Sequence, residues 1–486
     1  MNGRARVLAA GLVVLVTAGL GGCGAGAAGA AAVSGGSAGH ATASADSVRA
    51  AAPTPASAVT PTPASAVTPT SASAVIPTSA SAVTPTSSSA VTPTSTSSAR
   101  PTASSSPAPT PSTSTATPTA SAATRHRAEF PVVTQEQQNR LYAEVRLAGM
   151  TLEQKIASLF MVHVGGPDPA ATRAYLAANG IAGVLLLGDN VPGGTDQTAA
   201  YTEALRAGTP GSGGSDGLGT LVAIDEEGGI VARLQADTYP SAETLKTEPV
   251  AATTDAFRQR AALLDATGMS VNIGVVADVT GDPSSFIYER ALGTDAGSAS
   301  ERVAAAVEAE QGAVFSTLKH FPGHGAASGD SHSSVPTTDL PLDTWRAEDA
   351  PPFAAGIDAG AELVMFGHLV YSSVDAAPAS LSRPWHDILR DELGFEGVAV
   401  TDDLLMLEAS GVPAYADRTA NAIAAIGAGN DILLYNTTVD VPQLVASVAG
   451  AVRAGQLPAE TVDEAALRTL ELRRELWLEQ NPVAAS

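Results

Sequence analysis

The chain has 486 residues, is 44% hydrophobic, and sets 49 acidic side chains against 26 basic ones for a net charge of −23. A surface this acidic repels a phosphate backbone, which excludes nucleic acid as the expected partner. One cysteine, Cys23, leaves no disulfide to be formed within the chain.

Residues 1–23 have the form of an export signal. Arg4 and Arg6 precede an apolar run from Val7 to Leu20, short for a membrane span, which ends in Leu20-Gly21-Gly22-Cys23. A cysteine after Leu-Gly-Gly resembles the bacterial lipobox. That resemblance implies a lipidated Cys23 and an exported protein held at the membrane by lipid alone, facing the cell wall. The alternative is an ordinary cleaved signal.

Residues 24–127 are expected to be a disordered linker. From Pro53 an eight-residue unit recurs: PTPASAVT twice, then PTSASAVI, PTSASAVT, PTSSSAVT and PTSTSSAR. One valine in most units, with a single added isoleucine and none in the last, cannot build the shared core of a solenoid. Regular prolines favour an extended spacer, and Ser/Thr-rich tracts with proline have the composition of O-glycosylated stalks. Six arginines and one aspartate fall in residues 1–127, so residues 128–486 carry a net charge of −28.

The folded domain is expected over residues 128–480. Eight apolar runs of strand length recur there: SLFMVHV, GVLLLG, TLVAID, SVNIGVVAD, VFSTLK, LVMFGH, GVAVTD and DILLYN. Alanine-rich helical stretches, such as 299–311 and 416–428, separate some of them. Continuous apolar strands alternating with helices imply a parallel sheet covered on both faces. Eight such units predict an α/β fold, a single (β/α)8 TIM barrel, with an open doubly wound sheet as the alternative. Most of the runs end on a polar residue: Asp225, Asp278, Lys319, His368, Asp402 and Asn436. In a barrel these ends surround the active site.

The stretch KHFPGHGAASGDSH, residues 319–332, starts at the Lys319 that ends the fifth run, continues into the loop after it and holds three of the eight histidines. Pro322 and Gly323 interrupt the i, i+4 spacing of His320 and His324, so a helical zinc pair is not expected. His320, His324, Asp330 and His332 nonetheless remain legitimate metal ligands. Asp330-Ser331-His332 suggests instead a carboxylate orienting an imidazole as a proton donor. Gly323, Gly325 and Gly329 are expected to let this loop close over a ligand.

KHFPGHG followed by DSH is similar to the signature of glycoside hydrolase family 3, in its NagZ-type β-N-acetylglucosaminidase branch. MTLEQKIASLFMV (150–162), IDEEGGIVARL (224–234), YERALGTD (288–295) and GVAVTDDLLM (397–406) extend the resemblance over residues 145–440. It implies a retaining exo-β-N-acetylglucosaminidase that needs no cofactor or metal. Carried over residue by residue, it makes Asp402 the nucleophile, His332 the general acid/base and Asp330 its dyad partner. Asp225, Arg233, Arg290, Lys319 and His320 match positions that bind the terminal sugar. Lys319 is one of only three lysines, so a compact ammonium donating to sugar hydroxyls is expected there. Neighbours on a strand point to opposite faces, so Asp403 is expected to cap or salt-bridge.

Two departures from the family stand out. Ile230 occupies a position the family often gives to a polar or basic residue. Residues 437–486 leave room for last helices but not for a second α/β domain, which fits an acid/base supplied by the loop. The implied substrates are N-acetylglucosaminyl glycosides such as peptidoglycan fragments and muropeptides, acted on by a monomer. Another glycone, phosphate as acceptor, a non-catalytic sugar-binding lipoprotein and a zinc hydrolase are the competing readings.

Overall fold

The computed structural model describes residues 133–206 and 218–481. The expected signal at 1–23, lipidation of Cys23 and linker at 24–127 lie outside the described residues. The chain divides into units of residues 1–119 and 120–486, and every described residue belongs to the second.

All eight expected strands form: β1 Phe160–Val162, β2 Gly183–Leu186, β3 Leu221–Ile224, β4 Val271–Val276, β5 Phe315–Phe321, β6 Leu363–Phe366, β7 Val398–Thr401 and β8 Leu433–Tyr435. They pair in parallel in the order β8-β1-β2-β3-β4-β5-β6-β7. A parallel bridge between Val400 and Ile432 brings the two ends of the sheet together. The result is a nearly closed barrel of the TIM type rather than an open sheet. Helices stand where the alanine-rich stretches predicted them, at Ala296–Glu310 and Arg418–Ala428.

The two-residue period of the strands sorts their apolar residues into two cores. Met161, Leu185, Leu221, Ala223, Val271, Ile273, Phe315, Leu363, Met365, Val398, Val400 and Leu434 fill the barrel, joined by Leu472 and Leu476 of the helix Ala459–Gln480. The alternating partners, such as Val184, Val222 and Ile224, pack outward against the helices, as do Leu318, Val364 and Ala399 around the other side. Such runs must be apolar throughout, because both faces are covered.

The fifth strand runs two residues further than expected, to Phe321, so His320 belongs to a strand and not to the following loop. Phe321 explains the extension. Its ring lies edge-on to Trp345, Phe353, Phe366 and Trp385, with centroids 5.0–5.9 Å away. Each such pair contributes about 0.5–1.5 kcal/mol beyond the area buried.

Candidate active site

Parity along the strands decides which end residues meet. Asp225 follows Leu221 and Ala223 of β3, and Asp402 follows Val398 and Val400 of β7, so both continue the inward-facing rows. On β5, Lys319 shares the parity of Phe315. These groups converge at the C-terminal end of the barrel.

Lys319 is the hub. Its Nζ lies 2.9 Å from Asp225 Oδ1, 2.6 Å from Glu227 Oε1 and 2.6 Å from the Ile273 carbonyl. An ammonium has three donors, and all three are engaged by the protein. Through these contacts Lys319 fixes Asp225, which remains partly exposed. Burial opposes the charge on Lys319, but Asp225 and Glu227 outweigh it and raise its pKa.

Glu227, which sequence reasoning missed, holds the cluster together. Arg290 donates to it twice, Nε at 2.9 Å and Nη2 at 2.7 Å. Burial pushes the Glu227 carboxyl up, yet Lys319 and Arg290 pull it down to about 2. Its signal was present in the run Asp225-Glu226-Glu227, where one barrel-facing acid drew attention from its neighbours.

Arg290 Nη2 also lies 3.3 Å from His320 Nε2, and His320 Nδ1 lies 2.7 Å from Asp278 Oδ2. Those partners select the tautomer with Nδ1 protonated, donating to Asp278 and accepting from Arg290. Asp278 takes the backbone N–H of His320 and of His324 as well, at 3.2 and 2.5 Å. Both ring nitrogens of His320 are thus committed, and His324 Nε2 meets Ser331 Oγ at 3.2 Å. Among the described residues no three His, Cys, Asp or Glu side chains converge as metal ligands.

Arg233 stands at the rim, its Nη2 3.8 Å from Asp225 Oδ2 and its side chain 34% exposed. The hairpin that delivers it needs glycine. Gly228 has φ +85°, and a Cβ there would come within 2.1 Å of Arg260 Nη2.

Asp402 is half-buried. Burial works against its charge, but the His320 and His368 rings, the Asp403 amide at 2.8 Å and the Lys319 ammonium lower its pKa. It is therefore an ionised carboxylate at neutral pH. Asp403 faces the other way and caps the helix Leu404–Ala409 through the Leu405 N–H, as strand alternation predicted. His368 contributes from behind, with Nδ1 2.7 Å from Ser380 Oγ and Nε2 2.9 Å from the Asp403 carbonyl.

Asp330 and His332 lie on the loop after β5. Asp330 Oδ1 is 2.7 Å from His332 Nδ1 and accepts the His332 backbone N–H at 2.9 Å. The imidazole stands edge-on to Phe286 at 5.5 Å, and the same ring lies 5.7 Å from the Arg290 guanidinium. Phe286, unremarked in the sequence, connects the dyad to the buried cluster. The loop is less free than its glycines suggested. His324 is 1% exposed, and a Cβ on Gly325 would come within 1.7 Å of the Val279 carbonyl. Gly325 is there for close packing; only the stretch around Gly329 is exposed.

Residues 151–472 match the family described as glycosyl hydrolase family 3 N terminal domain. A beta-hexosaminidase of Mycobacterium tuberculosis, LpqI, is 34% identical over 337 residues, covering 66% of this chain and 82% of that protein. A beta-N-acetylhexosaminidase structure from Beutenbergia cavernae is 32% identical with a TM-score of 0.59, over 67% of this chain and 98% of that one. A family 3 beta-N-acetylglucosaminidase from Paenibacillus sp. is 28% identical with a TM-score of 0.62, over 67% of this chain. This chain spans 63% of that last protein. A barrel with charged residues gathered at its strand ends, matched over most of the described residues, admits one classification: the chain belongs to glycoside hydrolase family 3 and is a glycoside hydrolase.

Proposed function

We propose that this protein is a retaining exo-β-N-acetylglucosaminidase. The observation that carries this reading is the 2.7 Å contact between Asp330 Oδ1 and His332 Nδ1, on the loop over the barrel end that also holds an ionised Asp402. Beta-hexosaminidase relatives support the choice of sugar. In the first step an Asp402 oxygen bonds to the anomeric carbon, the bond to the leaving oxygen breaks, and His332 Nε2 gives that oxygen its proton. In the second step His332 takes a proton from water, whose oxygen displaces Asp402 and restores the original configuration. Asp330 holds Nδ1–H, which keeps Nε2 aimed at the substrate. Asp225 and Arg233 take hydroxyls of the terminal sugar, on a floor set by Lys319, Arg290, Glu227 and His320.

The source of the sugar is peptidoglycan or fragments released from it. This follows from an exported chain anchored by lipid on Cys23, with residues 24–127 as the spacer between membrane and barrel; the Leu-Gly-Gly-Cys motif and the octad composition support it.

A panel of chromogenic β-glycosides, assayed with and without phosphate, tests the reading. Turnover of the N-acetylglucosaminide in plain buffer, with β-configured product seen first by NMR, is expected. Preference for a glucoside, dependence on phosphate or an inverted product would each replace it.

A further inference from the structure

The segment that delivers Arg233 is held by a carboxyl group to which the mechanism above gives no role. Glu226, fully buried, turns away from the cluster of Asp225, Glu227 and Lys319. Its Oε2 accepts the backbone N–H of Arg233 at 2.9 Å and of Leu234 at 3.1 Å. One side chain clamps its own backbone: Asn272 donates to the Glu226 carbonyl and accepts from its N–H, both at 3.2 Å. Between these fixed points the chain turns tightly, Glu227 and Gly228 both donating to the Val231 carbonyl at 3.0 Å.

The charged surroundings of Glu226 are Asp237, Arg260 and, beyond Asn272, Glu310. Arg260 is committed to Asp237, Nε to Oδ2 at 2.6 Å, with both side chains wholly buried. Glu310 accepts from Asn272 Nδ2 and from Ser316 Oγ, each at 2.6 Å. Glu226 Oε1 is buried and receives no hydrogen bond from any described residue, while Asp237 is the carboxylate that interacts with it. With a carboxylate as its neighbour, and Arg260 already committed to Asp237, Glu226 is favoured in its protonated form. Burial drives Glu226 up to about 8 against the pull of the Arg233 and Leu234 amides, and Asp237 adds to the rise.

We propose that Glu226 is a positioning residue for sugar binding: its protonated Oε1 donates to Asp237 while Oε2 holds the Arg233–Leu234 backbone, and this clamp keeps Arg233 beside Asp225. The folded-state value is raised from the ordinary 4.5 to about 8, so the clamp is firmest below 4.5 and weakens progressively as pH rises to about 8, where the loss is complete. The proposal rests on Arg233 contacting the terminal sugar, as assigned above.

The test compares the wild type, Glu226→Gln and Glu226→Ala between pH 6.5 and 9.5, reading kcat and KM on a chromogenic β-N-acetylglucosaminide. Loss of the clamp is expected to raise wild-type KM about tenfold between neutral and alkaline pH, the equivalent of one hydrogen bond, with less effect on kcat. Glutamine keeps an N–H toward Asp237 and an oxygen toward the two amides at every pH, so its KM should stay flat. Alanine should show the high KM throughout. A second readout needs no substrate: amide hydrogen exchange of residues 226–237, corrected for intrinsic rates, should accelerate at alkaline pH in the wild type and not in Glu226→Gln. Equal alkaline behaviour of wild type and Glu226→Gln in both measurements overturns the proposal, whether or not the alanine variant folds. Matching exchange data in a protein that turns over no N-acetylglucosaminide would instead retain the clamp and overturn the substrate.

Discussion

The buried cluster of Glu227, Arg290, Lys319, His320 and Asp278 has no member more than 9% exposed, whereas the His332 and Asp330 side chains are 61% and 43% exposed. In the cluster every charge has two or more partners at fixed distances, and removing one leaves another charge stranded out of water. The dyad rests on two contacts to a single oxygen, in surroundings where an ion pair contributes only about 0–1 kcal/mol. Under the proposed function the difference separates two tasks. Sugar recognition needs dipoles that do not reorganise, which burial supplies. Proton transfer needs a group that reaches a leaving oxygen and then a water, which a surface loop supplies.

The largest expected effect belongs to the proposed nucleophile, which lies beside the cluster. Asp402→Asn should lower kcat by ~10⁴-fold or more while N-acetylglucosamine still binds, because the covalent step disappears but the cluster stays. Activity within tenfold of wild type would remove Asp402 from the mechanism. His332→Ala comes next. It should slow glycosides with poor leaving groups by about 10²–10⁴-fold and activated phenyl glycosides far less, since a phenolate departs with little protonation. An equal loss on both classes would make His332 a binding group.

Glu227→Ala tests the other side of the comparison. It leaves Lys319 and Arg290 facing each other, and breaking a buried pair costs about 3–5 kcal/mol, so the thermal midpoint should fall by many degrees. An unchanged midpoint would mean that the cluster is not the rigid element described here. Asp330→Asn should act in the same sense as His332→Ala but by about tenfold, since the imidazole remains and loses only its charged partner. Its thermal midpoint should barely move, because the pair is exposed.

The smallest effect is a pH dependence of stability. Burial raises Glu310, Asp349 and Asp403 to about 7 and Glu226 to about 8, from unfolded values of 4.5 for Glu and 3.8 for Asp. Each keeps its proton in the folded chain after the unfolded chain has lost it, so stability falls as pH rises from about 4.5 to 8 and then levels. His386, lowered to about 4 by burial, acts oppositely up to 6.5, as do His324 and His368, but with Asp431 and Glu471 also raised these are three groups against six. Below about 4 the lowered values of Glu227, Asp278 and Asp402 make stability fall again as their unfolded counterparts take up protons first. Thermal unfolding at constant ionic strength should therefore show a maximum near pH 5. A midpoint rising steadily from pH 5 to 8 would mean that these acids are not held neutral.

Much of the barrel was legible in the chain because its causes are local. A strand covered on both faces must be apolar at every position, and eight such runs spaced by helices allow few other arrangements. Asp402 and Asp403 could be told apart because alternation along a strand needs no knowledge of what lies across it. The end of β5 was misplaced at Lys319 for the opposite reason. Phe321 extends the strand by packing on Trp345 and Trp385, residues distant in sequence, and no local pattern announces that.

By itself the sequence determined the strand count, the polar residues at the strand ends, the opposite faces of Asp402 and Asp403, the proximity of Asp330 to His332, and the family. Each follows from short-range periodicity or from neighbours along the chain. Only the tertiary structure decided that Glu227 lies between Lys319 and Arg290, that Lys319 has all three donors engaged, that Gly325 serves packing, and that Glu226 faces Asp237. Those are meetings of groups up to 94 residues apart, as in the Lys319–Asp225 pair. Their charge states depend on how much water the closed barrel excludes, and chain order does not encode that quantity locally.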